Sequence, residues 1–242
     1  MPRFFVDTVF GDTITISGND AAHIRRVLRM NIGDKLVVCS TATDTEYFCK
    51  IKEFTSDTVL LTADSAQQTA SEPSVRVKLF QALPKADKME TIIQKAVELG
   101  VYEITPVITR RCVSRPDEKS LIKKEARWQK IAEEASKQCG RGIIPNIQHT
   151  LEYEAALKEL AKSPLSVLFY ELGGSSLKAL LQDCPNEVSI IIGAEGGFDE
   201  AEVLRANAAG IKTASLGKRI LRCETAPLCA LSAIMYETGN LD

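Results

Sequence analysis

The 242-residue chain has two histidines, one tryptophan and 6% aromatic residues, and none of its seven cysteines stands in a Cys-x-x-Cys pair. A structural zinc site needs four close nitrogen or sulfur donors, and scattered thiols at 39, 49, 112, 139, 184, 223 and 229 with so few histidines do not supply them. The odd cysteine count argues against a disulfide framework as well, which leaves buried free thiols as the expected state. Neither Gly-x-Gly-x-x-Gly nor Gly-Lys-Ser/Thr occurs, so the dinucleotide and Walker-type phosphate loops lack their motifs. No apolar run approaches the roughly 18 residues of a membrane span, and Met1-Pro-Arg-Phe-Phe-Val-Asp7 lacks the apolar stretch of a signal peptide. A cytoplasmic protein without metal or membrane contact is expected. A strong charge of one sign is also missing: the net charge is −2, which excludes a generic nucleic-acid coat that works by neutralising phosphates.

What is present is ordinary for a soluble protein with a sizeable core, 45% hydrophobic and 26% charged residues. The even charge hides basic clusters at Arg25, Arg26 and Arg29, at Arg110, Arg111 and Arg115, at Lys123, Lys124 and Arg127, and at Lys218, Arg219 and Arg222. Residues 1–72 carry 7 basic against 10 acidic groups and the remainder 23 against 22, so neither part is a basic domain. Up to residue 64 the chain shows short β-rich runs (Phe4–Val9, Thr13–Ile16, Lys35–Cys39, Tyr47–Phe54, Thr58–Leu61) with one helix after Asn19-Asp20, the spacing of a small barrel. Residues 65–74 are small, polar and aperiodic, which predicts a linker and a domain boundary near 72. From Val75 the pattern changes to alternating strands and helices. Strands are expected at Val75–Ala82, Tyr102–Val107, Leu165–Tyr170, Val188–Ile192 and Lys212–Leu216, and helices at Lys85–Leu99, Lys119–Cys139, Glu152–Ala161, Ser175–Leu181, Asp199–Ala209 and Thr225–Glu237. Such alternation predicts an α/β fold with a parallel sheet.

Two strands of that sheet run into loops, Ile190-Ile-Ile-Gly-Ala-Glu-Gly-Gly-Phe198 and, after the strand at 212–216, Ser215-Leu-Gly-Lys-Arg-Ile-Leu-Arg-Cys-Glu-Thr-Ala226. Glycines after a buried strand bare the backbone at its carboxyl end, where open α/β sheets bind ligands. Glu195 inside the first loop, followed by Asp199, Glu200 and Glu202, disfavours phosphate and favours a cationic or zwitterionic ligand. The structural alternative is a tight turn, with Asp199 capping the next helix and Glu202 closing a capping box.

These two loops, together with Lys85-Ala-Asp-Lys-Met-Glu-Thr-Ile-Ile-Gln-Lys-Ala-Val-Glu-Leu-Gly-Val101 and His23-Ile-Arg-Arg-Val-Leu-Arg29, resemble the bacterial ribosomal RNA small subunit methyltransferase E family of SPOUT methyltransferases over nearly the whole chain. The resemblance implies a PUA-like β-barrel over residues 1–72 that grips RNA, and a SPOUT-type α/β domain with a carboxyl-terminal trefoil knot over 73–242. It further implies homodimers and S-adenosylmethionine-dependent methylation of N3 of a specific uridine in 16S ribosomal RNA. Two residues depart from the family pattern: Ala194 stands where Gly-Pro-Glu-Gly-Gly has proline, and Ala86 where glycine is common.

By that resemblance, cofactor contacts fall on Tyr170 and Glu171 after one strand, on Ile192, Gly193, Glu195, Gly196 and Gly197 in the glycine loop, and on Leu216, Gly217, Ile220, Leu221, Arg222 and Thr225 in the last. Ile220 and Leu221 are the candidate adenine walls, with ordinary core packing as the alternative. Thr225 could equally cap the final helix. Methyl transfer to a weakly acidic N3 needs its proton removed or the anion stabilised. Arg222 is the candidate for holding the uracil oxygen or a phosphate, and Glu195 for the methionine ammonium or as base, with stabilisation of a helix dipole as its alternative. For RNA the candidates are Arg25, Arg26 and Arg29, on a helix whose Ile24, Val27 and Leu28 share the apolar face; Lys85 and Lys88, cations placed against a helix dipole; and Arg111. Trp128 is expected in the core, and His23 and His149 carry no assigned chemistry. The final helix, with Leu228, Leu231, Ile234 and Met235, is the candidate dimer surface. Two rivals stay open: the same cofactor serving a ribose hydroxyl or a guanine nitrogen, and a ribosome-assembly factor without catalysis.

Overall fold

A computed structural model describes residues 1–7, 13–43, 45–183 and 185–241. The expected strand end at 8–9 and Cys184 lie outside the described residues. The chain divides into two units, Met1–Glu72 with Ser136–Ile144, and Pro73–Ala135 with Pro145–Asp242.

The first unit is built on a five-stranded sheet in the order β1-β3-β4-β5-β2, from β1 (Arg3–Val6), β2 (Thr13–Ser17), β3 (Lys35–Ser40), β4 (Thr45–Phe54) and β5 (Thr58–Gln68). Only the β1–β3 ladder is parallel, with Phe4 opposite Val38. Alternation sets the inward face: Ile14 and Ile16 of β2 are buried while Thr13, Thr15 and Ser17 point out. Phe4, Ile14, Ile16, Leu36, Val38, Ile51, Val59 and Leu61 form one cluster, so both edge strands wrap a single core, as in a barrel. β5 continues to Gln68, pairing Gln67 with Glu46 and Gln68 with Thr45. The first half of the expected linker is therefore strand, because a partner strand satisfies its backbone whatever its side chains prefer. The 136–144 segment is tied in by Glu72, whose carboxylate accepts from the Arg141 guanidinium and from the backbone N–H of Gly142 at 2.9 Å.

A short helix, α1 (Gly18–Ala22), runs into a π-turn over His23–Val27, with the Leu28 N–H donating to His23 O at 3.0 Å. This corrects the expected apolar face. The widened turn rotates later residues off the 3.6-residue repeat, so Ile24 is fully buried while Val27 is 64% and Leu28 38% exposed.

The second unit is a parallel sheet, as expected, in the order β12-β10-β11-β6-β7-β8, with β9 also on β7. Its strands are β6 (Arg76–Ala82), β7 (Glu103–Ile108), β8 (Asn146–Ile147), β9 (Leu151–Glu152), β10 (Leu165–Phe169), β11 (Glu187–Ile192) and β12 (Lys212–Ala214). The helices are α2 (Lys88–Glu98), α3 (Glu118–Cys139), α4 (Tyr153–Leu160), α5 (Leu177–Leu180), α6 (Glu200–Ala208) and α7 (Ala226–Glu237). β11 is buried from Val188 to Ile192, as a strand covered on both faces must be. Phe80, Leu168 and Ile191 pack with Leu157 and Leu160 of α4 and Val203 and Ala206 of α6. The alternate residues Val77 and Leu79 point the other way, and α7 packs on β6 and on α2. Trp128 is buried, as its spacing predicts.

The segment before α2 carries a local strain. Ala86 has φ +54°, a left-handed conformation that costs an L-residue with a Cβ about 1–2 kcal/mol. Ala86→Gly is expected to stabilise the fold by about 0.5–1 kcal/mol, raising Tm by roughly 1–4 °C once glycine's own entropy is subtracted. A lowered Tm in thermal unfolding would contradict this.

Candidate functional site

β10, β11 and β12 are adjacent and parallel, so the loops that leave their carboxyl ends meet on one edge of the sheet. They enclose a cavity of about 400 Å³ walled by Tyr170 and Glu171 after β10, residues 192–198 at the end of β11 and beyond, and Leu216, Gly217 and residues 219–223 after β12, with Lys88 of α2 beside them. The structure thus brings together every expected cofactor residue except Thr225. Thr225 occupies the cap position of α7 but makes no side-chain capping bond.

The glycine loop is a tight turn in which the Gly197 N–H donates to Ala194 O at 2.9 Å. A Cβ on Gly193 would lie 3.0 Å from Gly197 Cα, and one on Gly197, at φ +63°, would meet the Glu171 carboxylate at 3.0 Å. These positions present bare backbone to the cavity, and a Cβ at either would press its neighbour aside by a few tenths of an ångström. Outside the loop, Arg111 lies along Gly196 and donates to its carbonyl at 2.8 Å. Arg110 reaches Asp199 at 2.7 Å, and its N–H donates to Glu202 at 2.8 Å. Asp199 and Glu202 form the expected capping box of α6. The hydrogen bond from the Glu202 N–H, outweighing burial and joined by Arg110, holds the Asp199 carboxyl below its ordinary pKa.

Glu195 is differently placed than its position before α6 suggests. Its carboxylate sits at the amino terminus of α2, taking the Lys85 N–H at 3.2 Å and Lys88 Nζ at 3.0 Å. Burial acts to raise its pKa, but the hydrogen bonds from Lys88, its own backbone N–H and Lys85 win and hold it lowered. Lys88 also pairs with Glu224 at 3.2 Å, and the two carboxylates raise the ammonium's pKa. Glu224 accepts from the Cys223 thiol at 3.2 Å, the largest of the causes that lower its pKa. Burial first, and then that hydrogen bond, push the Cys223 thiol up to about 12.

The unfavourable position of Lys88 against the helix dipole is therefore balanced by two carboxylates, Glu195 at the cavity and Glu224 behind it, whereas the expectation for Lys88 was a reach toward RNA. Glu224 and Cys223 were missed although both stand in the quoted motif. Glu224 follows Lys218, Arg219 and Arg222 closely in sequence, and no local pattern ties it instead to Lys88. Arg222 is exposed, and among the described residues its side chain has no hydrogen bond or ion pair, while its carbonyl accepts from the Thr225 and Ala226 N–H groups at 2.8 and 2.9 Å. Ile220 is 84% exposed at the cavity, which removes the core-packing alternative for it.

The expected RNA cations separate. Arg25 lies 5.3 Å over the Phe54 ring and donates to the Ser56 carbonyl at 2.8 Å and to those of Thr55 and Thr58, clamping the β4–β5 turn. Arg26, Arg29 and Lys85 are exposed, without a side-chain partner among the described residues. The expected dimer surface is corrected for three of its four residues: Leu231, Ile234 and Met235 are buried inside the subunit by β6 and α2, while Leu228 is half-buried and Tyr236 is the large exposed side chain of α7. Among the described residues no helix is long and apolar enough to cross a membrane, and no group of three or more His, Cys, Asp or Glu is placed to hold a metal ion.

Residues 71–235 match the family model described as an RNA methyltransferase domain, and residues 16–63 that of an RNA methyltransferase PUA domain. The ribosomal RNA small subunit methyltransferase E of Bacillus subtilis (strain 168) is 36% identical over 253 residues, which is 100% of this chain and 98% of that protein. Its counterpart from Synechocystis is 30% identical, with 92% of this chain and 72% of that protein covered. Among solved structures, ribosomal RNA small subunit methyltransferase E from Neisseria gonorrhoeae, bound to S-adenosyl methionine, has a TM-score of 0.87 at 28% identity, covering 98% of this chain and 97% of that one. A Legionella pneumophila methyltransferase in complex with the same cofactor has a TM-score of 0.87 at 31% identity, covering 97% and 96%.

Proposed function

The chain belongs to the ribosomal RNA small subunit methyltransferase E family, and on that premise we propose that it uses S-adenosylmethionine to methylate N3 of a specific uridine in 16S ribosomal RNA. The observation that carries this is the cavity between the glycine loop and the 216–223 loop, walled by bare backbone, carboxylates and two exposed arginines, Arg219 and Arg222. That wall suits the cofactor: the backbone at Gly193, Gly197 and Gly217 leaves room for close approach, Ile220 and Leu221 offer apolar faces for adenine, and Glu195 is an ionised neighbour for the ammonium. When bound, the cofactor supplies an electrophilic methyl group. The chain's own residues orient the pyrimidine and stabilise its charge. Arg222, free of partners among the described residues at the cavity rim, is the group to hold the uracil oxygen as N3 loses its proton.

Around that centre the reading assigns RNA gripping to the PUA-like domain over 1–72 and catalysis to a SPOUT-type domain over 73–242 with a trefoil knot. The knot is supported by the path of the chain after β12, which returns to lay α7 on the much earlier β6 and α2. A cytoplasmic homodimer completes the proposal. Of the expected RNA contacts, Arg26, Arg29 and Lys85 have free side chains among the described residues, while Arg25, Lys88 and Arg111 would have to exchange protein partners for phosphate. Replacing Arg26 and Arg29 together by Ala is expected to reduce the slope of log affinity against log salt by about 1–2. An unchanged slope in filter-binding titrations would assign both to a solvated face. The function itself is tested by mass mapping of 16S ribosomal RNA from the small subunit after incubation with pure protein and cofactor. N3-methyluridine at one site is expected; methyl on ribose or on guanine, or none at all, would overturn it.

A further inference from the structure

At the cavity wall a half-buried node joins three separate segments: Lys88 at the start of α2 and Glu195 in the glycine loop, which line the cavity, and Glu224 in the last loop, which stands behind Lys88, at 3.0 and 3.2 Å. Each of the three side chains is about 70% sheltered from solvent, with side-chain exposures of 31%, 30% and 28%. One ammonium between two carboxylates leaves a formal charge of −1, of which the amino terminus of α2 offsets roughly half. The other charges nearby are Lys85, Asp87, Glu171, Arg111, Arg219 and Arg222, and all are exposed, so water and salt screen them more than the node.

We propose that this uncompensated node is a specificity device that favours the methyl donor over its demethylated product. S-adenosylmethionine carries a sulfonium, an ammonium and a carboxylate, net +1; S-adenosylhomocysteine, with a neutral thioether, is net zero. Transfer breaks the sulfur–methyl bond, leaves the electron pair on sulfur, forms the N3–carbon bond and releases the N3 proton to solvent. The ligand in the cavity thereby loses the charge that the node attracts, and the product is held less tightly than the donor. Glu224 is the determinant of this preference, since it contributes a full negative charge without being needed for the glycine turn, and Lys88 is the residue that limits it.

The inference rests on the proposed function, and calorimetry separates the two. With full-length protein, both ligands are titrated into the wild type, Glu224→Gln and Lys88→Gln. Glu224→Gln is expected to narrow the ratio of product Kd to donor Kd by about three- to tenfold, mainly through weaker donor binding, and Lys88→Gln to widen it. Both changes should shrink at high salt. Equal loss of affinity for donor and product in Glu224→Gln would overturn the inference and leave the node a structural strut. If Lys88→Gln does not fold, as circular dichroism would reveal, Glu224→Gln decides alone. A wild type that binds neither ligand would refute the proposed function, and this inference with it.

Discussion

Arg222→Ala is expected to lower kcat by about 100- to 1,000-fold while leaving cofactor affinity within about threefold. The reasons are geometric. Its backbone is fixed by the first turn of α7, through the hydrogen bonds that its carbonyl accepts from Thr225 and Ala226. Among the described residues its guanidinium has no partner at the rim of the cavity. Such a cation has no protein ion pair to give up when charge develops on a bound pyrimidine, and it makes no demand on the proposed cofactor contacts, which fall on backbone, apolar groups and Glu195. Single-turnover rates measured beside calorimetric affinity check the split. Arg222→Lys should recover only part of the rate, because an ammonium lacks the planar fork. Parallel losses of rate and cofactor affinity would place Arg222 in the cofactor's binding set instead.

Gly197→Val is expected to remove measurable cofactor binding, a weakening of at least about 100-fold. Two independent costs fall on one residue. Valine is β-branched and disfavours φ +63°, and its Cβ would press on the Glu171 carboxylate at 3.0 Å. The turn closed by the Gly197 N–H on Ala194 would open, and Gly193, packed against the Gly197 backbone, would move with it. Gly196 is a milder position than its place in the motif suggests: its added Cβ would meet the Arg111 side chain on the outside of the loop, not the cavity. Gly196→Ala is therefore the control, with a smaller loss. Unchanged affinity in Gly197→Val, with a native circular dichroism spectrum, would mean that this loop does not wall the ligand site.

The architecture was legible because its signals are local. The buried run before Gly193 could only be a covered strand. The capping box of Asp199 and Glu202 marked the start of α6 within four residues, and Gly100, Gly140 and Gly210 ended three helices in left-handed turns. Strand and helix alternation then forced a parallel sheet, and a parallel sheet puts its loops on one edge. The gathering of residues from 170 to 222 around one cavity follows from that.

What the sequence by itself determined was this order of elements and the bare backbone at two loops, because periodicity and glycine act through the nearest few residues. Tertiary structure alone decided the partners. Lys85 and Glu195 meet across 110 residues of chain and Lys88 and Cys223 across 135, and no pattern within a window of the sequence records such a pairing. The same holds for Arg25, a surface cation by spacing and a clamp on the β4–β5 turn in fact, and for Val27 and Leu28, turned outward by one widened helical turn. Charge is long-ranged and side chains are flexible, so which carboxylate a cation finds is settled only when the sheet has brought the loops together.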